Sequence, residues 1–431
     1  MQELPRRAFV ITAGAAISRT AWGANDRINV AVVGVRGRGR DHIAEYIPQG
    51  NTRVAAVCDI DTAQTERAVQ LVNKLGGGTP KVYQDYRKLL EDKTIDVVSL
   101  ATCNHWHALG TIWACQAGKD VYVEKPASHN IWEGRKMVEA ARKYRRIVQV
   151  GMQSRSIDHK IRAIQLLREG VIGRIYMAKG LCFKRRVSIG KGSDGPVPPG
   201  IDYDLWLGPA PMRPFNANRF HYNWHWYWDT GNGDIGNQGV HEMDIARWGL
   251  CKSTLPRHVF SSGGKFVYDD DQETPNTQLA TFDYGDAQLV FEVRGLITGG
   301  EDSLRTDANT IGNLFFGSDG YMAIDSHSFQ VYRGEKREKI LEGRPTGKIW
   351  DTGPHIANFL HAVRSRRHED LNADILEGHL SAALCHMANI SYRLGRALTF
   401  DPDKETFGED REANALLSRN YRKPYVVPDQ V

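Results

Sequence analysis

The stretch from Arg27 to Asp59 constrains this chain more than any other. Arg27-Ile28-Asn29-Val30-Ala31-Val32-Val33 alternates and then runs continuously apolar, as a strand buried on both faces of a parallel sheet does. Gly34-Val35-Arg36-Gly37-Arg38-Gly39 follows directly, and residues 41–47 take helical character. Glycines at such a junction allow a tight turn and let backbone amides approach a phosphate at a helix N-terminus. The spacing is G-x-x-G-x-G rather than the strict G-x-G-x-x-G, so the loop alone is weak evidence.

Context strengthens it. A second strand, residues 53–58, ends at Asp59, twenty residues past Gly39. An acid at that distance accepts hydrogen bonds from an adenosine ribose and repels a 2′-phosphate. The expectation is a dinucleotide site with Gly34, Arg36, Gly37, Arg38, Gly39 and Asp59 against the cofactor, and with NAD favoured over NADP. Arg36, Arg38 and Arg40 pull the other way, because an arginine can pair with that phosphate. Asp61 is the better candidate for the cap of the next helix.

Further strand–helix units follow. Residues 82–83 and 86–90 lead into the apolar strand 95–101, then a helix through Ala117 that Gly118 ends in a left-handed conformation. The strand 120–123 runs into Glu124-Lys125-Pro126. This alternation is that of a doubly wound parallel sheet, an N-terminal Rossmann domain within an α/β chain. Ligands of such sheets lie beyond the carboxyl ends of the strands. Asn104, His107, Glu124 and Lys125 fall there and join the expected cofactor contacts.

Three pieces of this region resemble the Gfo/Idh/MocA family, named for glucose–fructose oxidoreductase, inositol dehydrogenase and a rhizopine catabolism protein. The first is the glycine loop with Asp59. The second is Thr102-Cys103-Asn104-x-x-His107, similar to the family's T-P-N-x-x-H with Cys103 in place of Pro. The third and most specific is Ala117-Gly118-Lys119-x-Val121-x-x-Glu124-Lys125-Pro126. The resemblance covers residues 27 to about 400. It implies a C-terminal α/β domain with an open, mostly antiparallel sheet whose face covers the nicotinamide. Independently, residues 278–284 and 287–294 alternate around Gly285-Asp286, a hairpin signal. Residues 313–316 and 321–324 read as a second pair, and 356–364 and 376–394 as amphipathic helices. The implied organisation is a Rossmann domain over 26–150 and a substrate domain over 151–400. The helices within 355–396 are expected to pack back on the Rossmann domain, and 401–431 to form a polar surface tail or oligomer arm.

The segment from Trp224 to Asp244 carries dense Gly and Asn, unsuited to a helix or strand interior, and reads as a shaped loop entering a helix near His241. Its end matches the family's G-x-H-x-x-D through Gly239, His241 and Asp244. The resemblance implies that His241 stands over the nicotinamide with Lys125. A neutral imidazole can take the proton of a secondary alcohol as hydride leaves, and a lysine ammonium can stabilise the developing alkoxide. His241 is therefore the expected base and Lys125 the electrostatic partner, with the order exchangeable. Asn237 stands where many family dehydrogenases carry Asp, and His225 is a candidate for the missing basic group. Trp224, Trp226 and Trp228 have period two, as in an extended segment, and aromatic faces suit a sugar ring. Trp224, Trp226, Tyr222, Asn237 and Asp244 are the expected substrate contacts, with Lys184, Arg185 and Arg186 weaker candidates.

Composition closes off other classes. The 56 Lys and Arg are spread against 51 acids, for a net charge of +5, with no basic block interleaved with aromatics, so nucleic acid is not an expected partner. No apolar run reaches the roughly 20 residues of a membrane span. The six cysteines show no zinc spacing, and no metal is expected. Residues 1–25 hold Arg6-Arg7, a short apolar stretch and small residues at 21–24, similar to a twin-arginine export signal despite Pro5 and Ile11 at atypical positions. A periplasmic or secreted location is expected, with tightly bound NAD. The function so implied is oxidation of a hydroxyl of a sugar, glycoside or cyclitol by a homo-oligomer, a dimer or tetramer. One alternative is a redox-neutral glycosidase of the α-N-acetylgalactosaminidase-like branch, in which transient C3 oxidation permits elimination. A second is a non-catalytic sugar-binding scaffold.

Overall fold

The computed structural model describes residues 27–299, 309–349 and 351–431; the expected export signal lies outside them. Its first sheet is assembled from strand–helix alternation. The elements are β1 (Ile28–Val33), α1 (Arg38–Tyr46), β2 (Thr52–Cys58), α2 (Thr62–Lys74), β3 (Lys81–Tyr83), α3 (Tyr86–Glu91), β4 (Val97–Leu100), α4 (Asn104–Gln116), β5 (Asp120–Val123), α5 (Ile131–Lys143) and β6 (Val148–Val150). All six strands pair in parallel in the order β3-β2-β1-β4-β5-β6. The chain winds one way from β1 to β3 and the other from β4 to β6, so the crevice between β1 and β4 is the switch point where such sheets take ligands.

The second sheet is mixed and mostly antiparallel. After α6 (Asp158–Arg168) come β7 (Ile175–Lys184), α7 (Tyr203–Leu207), α8 (Gly233–Asn237), α9 (Gly239–Gly249), β8 (His258–Gly264), β9 (Thr277–Asp283), β10 (Gln288–Arg294), β11 (Asn309–Gly317), β12 (Gly320–Asp325), β13 (Phe329–Arg333) and β14 (Glu338–Gly343). Then α10 (Gly353–Ser365), α11 (Ile375–Leu394), β15 (Leu398–Thr399) and α12 (Arg411–Ala415) complete the chain. The order is β14-β13-β12-β11-β7-β10-β9-β8-β15, with β7 and β10 the parallel pair. The hairpin around Gly285 joins β9 to β10, with Leu289 opposite Phe282, and Phe315 of β11 faces Met322 of β12.

One face of the Rossmann sheet is covered by α10, whose Ile356, Phe359, Leu360 and Val363 are buried with Val30, Val32 and Tyr122. The last thirty residues are no free tail. Phe407, Tyr425, Val427 and Val431 are buried in the main core, and the Arg422 guanidinium Nε donates to the Gly208 carbonyl at 3.0 Å. The composition of 401–431 is polar, but its few apolar side chains recur often enough to anchor the segment.

Candidate active site

The turn after β1 is built as the glycines require. Gly34 has φ of 80°, and a Cβ there would meet the Ala101 carbonyl oxygen at 2.6 Å. A Cβ on Gly39 would meet the Gly34 oxygen at 2.2 Å, so Gly39 lets α1 close on the turn rather than touching a ligand. Gly39 does not line the cavity. Gly37 has open space where its side chain would be.

From this turn a cavity of about 550 Å³ runs between the two sheets, within the range of cofactor and small-molecule sites. Gly34, Arg36, Gly37, Arg38 and Asp59 line one end. Asp59 Oδ2 accepts from the Val35 amide at 2.8 Å and Oδ1 from the Asp61 amide at 3.1 Å. Burial pushes its carboxyl up to about 6. Asp61 caps α2, accepting from the Ala63 amide at 3.0 Å. Asp59 is therefore free of helix capping and faces the cavity. Arg36 is exposed, whereas Arg38 turns inward, with Nε donating to Glu124 Oε1 at 2.9 Å.

The middle of the cavity is walled by the ends of β4 and β5. Asn104 Nδ2 donates to Asn232 Oδ1 at 2.9 Å, and His107 sits with its ring nitrogens 2.7 Å from the Pro126 carbonyl and 3.1 Å from that of Thr102. Burial lowers the His107 pKa, so it serves as a neutral brace behind Lys125. Burial alone would raise the Glu124 carboxyl, but Arg38 and His42 draw it well below the usual range. Buried His42, which the sequence reading missed, lies 3.0 Å from Glu124 Oε1 and 2.9 Å from Ser99 Oγ. The Thr102 hydroxyl is buried, unpartnered, and lines the cavity.

Lys125 and His241 line the cavity together, one from the Rossmann domain and one from α9. Lys125 Nζ donates to the Asn237 backbone carbonyl at 2.7 Å, and burial lowers its pKa. His241 is held neutral: burial first, then the Lys125 charge, lower it to about 3. Its Nδ1 is buried without a partner. His225 also faces the cavity, lowered by burial to about 3, with Nδ1 donating to the Tyr222 carbonyl at 2.6 Å and its ring stacked on Trp224 at 3.6 Å.

The substrate contacts divide. Tyr222, Trp224 and Asn237 line the cavity; Trp226 and Asp244 do not. Residues Asn223–Trp226 form a 3-10 turn, not an extended segment, which places Trp226 in the core beneath the Arg186 guanidinium at 5.4 Å. Asp244 is fully buried, accepting from Arg155 Nε at 2.8 Å and Ser381 Oγ at 2.7 Å. It locks α9 to α11 and cannot meet a ligand. The Gly- and Asn-rich stretch is likewise not all loop, since α8 forms within it; Asn237 Nδ2 donates to Asp234 Oδ1 at 3.2 Å there. Arg186 pairs with buried Asp234, with Nε to Oδ2 at 3.0 Å.

Trp206, Lys160, Glu242 and Asn313 are among the lining residues that escaped the sequence reading. Glu242 follows His241 directly, and burial pushes its carboxyl up to about 7, against the pull of Lys160.

Comparison with known proteins settles the ancestry of this arrangement. A model of an oxidoreductase family's NAD-binding Rossmann fold matches residues 28–152, and that family's C-terminal α/β domain matches 165–283 and 321–427. The chain belongs to the Gfo/Idh/MocA oxidoreductase family. Among family relatives, a glycosyl hydrolase family 109 protein of Saccharopolyspora erythraea is 27% identical over 172 residues, 39% of this chain and 37% of that protein. The chain thus spans about a third of the length of the curated relatives it matches. Among solved structures, an oxidoreductase domain protein from Kribbella flavida superposes with a TM-score of 0.66 at 18% identity, over 87% of this chain and 99% of that one. A levoglucosan dehydrogenase in complex with NADH gives 0.66 at 17% identity, with the same coverage. These likenesses establish the Gfo/Idh/MocA fold for both sheets. Among the described residues no cluster of three His, Cys, Asp or Glu could hold a metal ion, and no helix is long and apolar enough to cross a membrane.

Proposed function

We propose that this protein is an NAD-dependent oxidoreductase acting on a hydroxyl of a sugar, glycoside or cyclitol. One observation carries the reading: Lys125 and His241, contributed by different domains, line the same cavity as the glycine turn and Asp59. The residues fit a dinucleotide, with open space at Gly37, an acid free of capping duty at Asp59 and an unpartnered hydroxyl at Thr102. Bound there, NAD would supply the hydride acceptor.

The chain's own residues do the rest. Neutral His241, lining the cavity beside Lys125, accepts the proton of the reacting hydroxyl. Lys125, fixed by the Asn237 carbonyl, places its ammonium to stabilise the developing alkoxide. Asn237 cannot take a proton, so no carboxylate relay runs through that position; His225 is a second imidazole on the same cavity wall. Tyr222 and Trp224 give the aromatic wall against which a ring stacks. Asp59 favours NAD over NADP by repelling a 2′-phosphate.

A retained cofactor is supported by the strap that crosses from the second domain to the turn after β2. The Thr62 amide donates to the Gly200 carbonyl at 3.1 Å and the Asp202 amide to the Ile60 carbonyl at 2.9 Å. Exposed Phe260 and Leu279 on the second sheet support assembly into a homo-oligomer. With the export signal expected at residues 1–25, the working location is the periplasm or beyond. No nicotinamide pool regenerates spent cofactor there.

That location, and relatives named as glycosyl hydrolase family 109 proteins, favour a second reading: a glycosidase that returns the hydride within one cycle. Incubation with a panel of sugars and chromogenic glycosides separates the two. Stoichiometric NADH absorbance marks the dehydrogenase. Released sugar without net absorbance marks the glycosidase. Protein that neither carries nor binds NAD leaves only a scaffold and contradicts both.

A further inference from the structure

Three separate elements bring a floor of polar groups to the cavity wall: Lys160 of α6, Glu242 of α9, next to His241, and Asn313 of β11. All three are nearly or fully buried, at 6%, 4% and 0% exposure. The floor is rigidly built. Asn313 Nδ2 donates to the Glu242 backbone carbonyl at 2.7 Å, Gln238 Nε2 donates to Glu242 Oε1 at 3.3 Å, and Lys160 Nζ donates to Ser154 Oγ at 3.1 Å. Two atoms stay unsatisfied: Glu242 Oε2 and Asn313 Oδ1 are buried and without a partner. A buried polar atom left alone is costly, and such atoms on a cavity wall point to a ligand group that completes them.

With Glu242 ionised both unsatisfied positions are acceptors, so the missing partner brings hydrogen-bond donors. The ammonium of Lys160 lies near enough to Glu242 to be the largest charge acting on it, and donates in the opposite sense. A hydroxyl can satisfy both at once, giving its proton to Glu242 or Asn313 and accepting from Lys160. A carboxylate cannot, because it has no proton to give and would face two acceptor oxygens. The nearby charges are balanced rather than cationic, since Asp325 also acts on Lys160 and lines the same floor.

We propose that Lys160, Glu242 and Asn313 form a specificity subsite for adjacent hydroxyls of an uncharged sugar ring, and that it excludes ring carboxylates. This rests on the sugar reading given above and narrows it to neutral substrates.

The test uses NAD-loaded protein at pH 8.5 and saturation-transfer NMR. Methyl glucoside, galactoside and N-acetylgalactosaminide are compared with methyl glucuronide and galacturonide. At least one neutral glycoside binds about tenfold or more tighter than the uronides, a difference of one hydrogen-bonded position. Glu242→Gln removes the charge that opposes a carboxylate, and shifts the ratio toward the uronide by about tenfold with NAD content unchanged. A loss of folding would weaken every sugar alike and would not reverse the preference; Asn313→Ala, weakening only the neutral glycoside, gives the same answer independently. Uronides binding as well as neutral glycosides, or an unchanged ratio in both variants, overturns the subsite while leaving the sugar reading intact. Holoenzyme that binds none of the sugars overturns that reading and the subsite with it.

Discussion

Lys125 Nζ and the Asn237 backbone carbonyl, 112 residues apart in sequence, meet at 2.7 Å and join the two domains across the cavity. The contact fixes an ammonium beside neutral His241 and makes position 237 matter through its backbone, whatever its side chain. Lys125→Ala is therefore expected to lower turnover by about 10²–10⁴-fold while NAD remains bound. Turnover is measured on the best substrate of the sugar panel, and bound NAD by absorbance of the purified protein after denaturation.

The side chain at 237 has its own consequence. Asn237 Nδ2 donates to Asp234 Oδ1, and Asp234 is already paired with Arg186. Asn237→Asp replaces that donor with a second buried carboxylate and is expected to cost about 1–3 kcal/mol. Denaturant midpoints of the two proteins at pH 7.5 measure it, and the deficit should shrink as pH falls and the new acid is protonated.

Cofactor choice should turn on Asp59. Asp59→Ala removes the acid at the glycine-turn end of the cavity and leaves exposed Arg36 able to pair with a 2′-phosphate. The ratio of NAD to NADP affinity, measured by calorimetry on cofactor-free protein, is expected to fall by roughly tenfold or more.

Acid should unfold this protein steeply. Burial lowers His105, His225, His241 and His386 to about 3 and His355 to about 4. Each is neutral when folded and gains a proton when unfolded below its ordinary value near 6.5, so the unfolded state binds more protons and stability is lost as pH falls. Asp59 and Glu242, raised by burial, act in the opposite direction and offset part of the effect. The Tm is expected to drop by roughly 10 °C or more between pH 7 and pH 5, read by calorimetry.

How much of this was legible follows from how local each feature is. The turn Gly34–Gly39, the acid at 59 and Lys125 after β5 are written in short contiguous motifs, because phosphate approach and strand ends need particular residues at fixed spacing. The hairpin at Gly285 and the helices α10 and α11 were legible for the same reason. Asp244 matched a motif, but only the fold shows Arg155 and Ser381 converging on it, with Arg247 of the same helix 3.8 Å away. The tryptophans at 224 and 226 share a spacing that fits a strand, yet a 3-10 turn sends one to the cavity and the other to the core. Lys160, Glu242 and Asn313 lie on three elements far apart in sequence, and nothing local announces that they meet.

The roles given to Lys125 and His241 require a dinucleotide held between the turn after β1 and that pair. Native mass spectrometry of the purified protein, before and after incubation with NAD, tests it most directly. One dinucleotide per chain is expected, retained through purification or regained on incubation, and lost when Gly37→Trp fills the open space in the turn. Protein whose mass never rises, even in millimolar NAD, would contradict it.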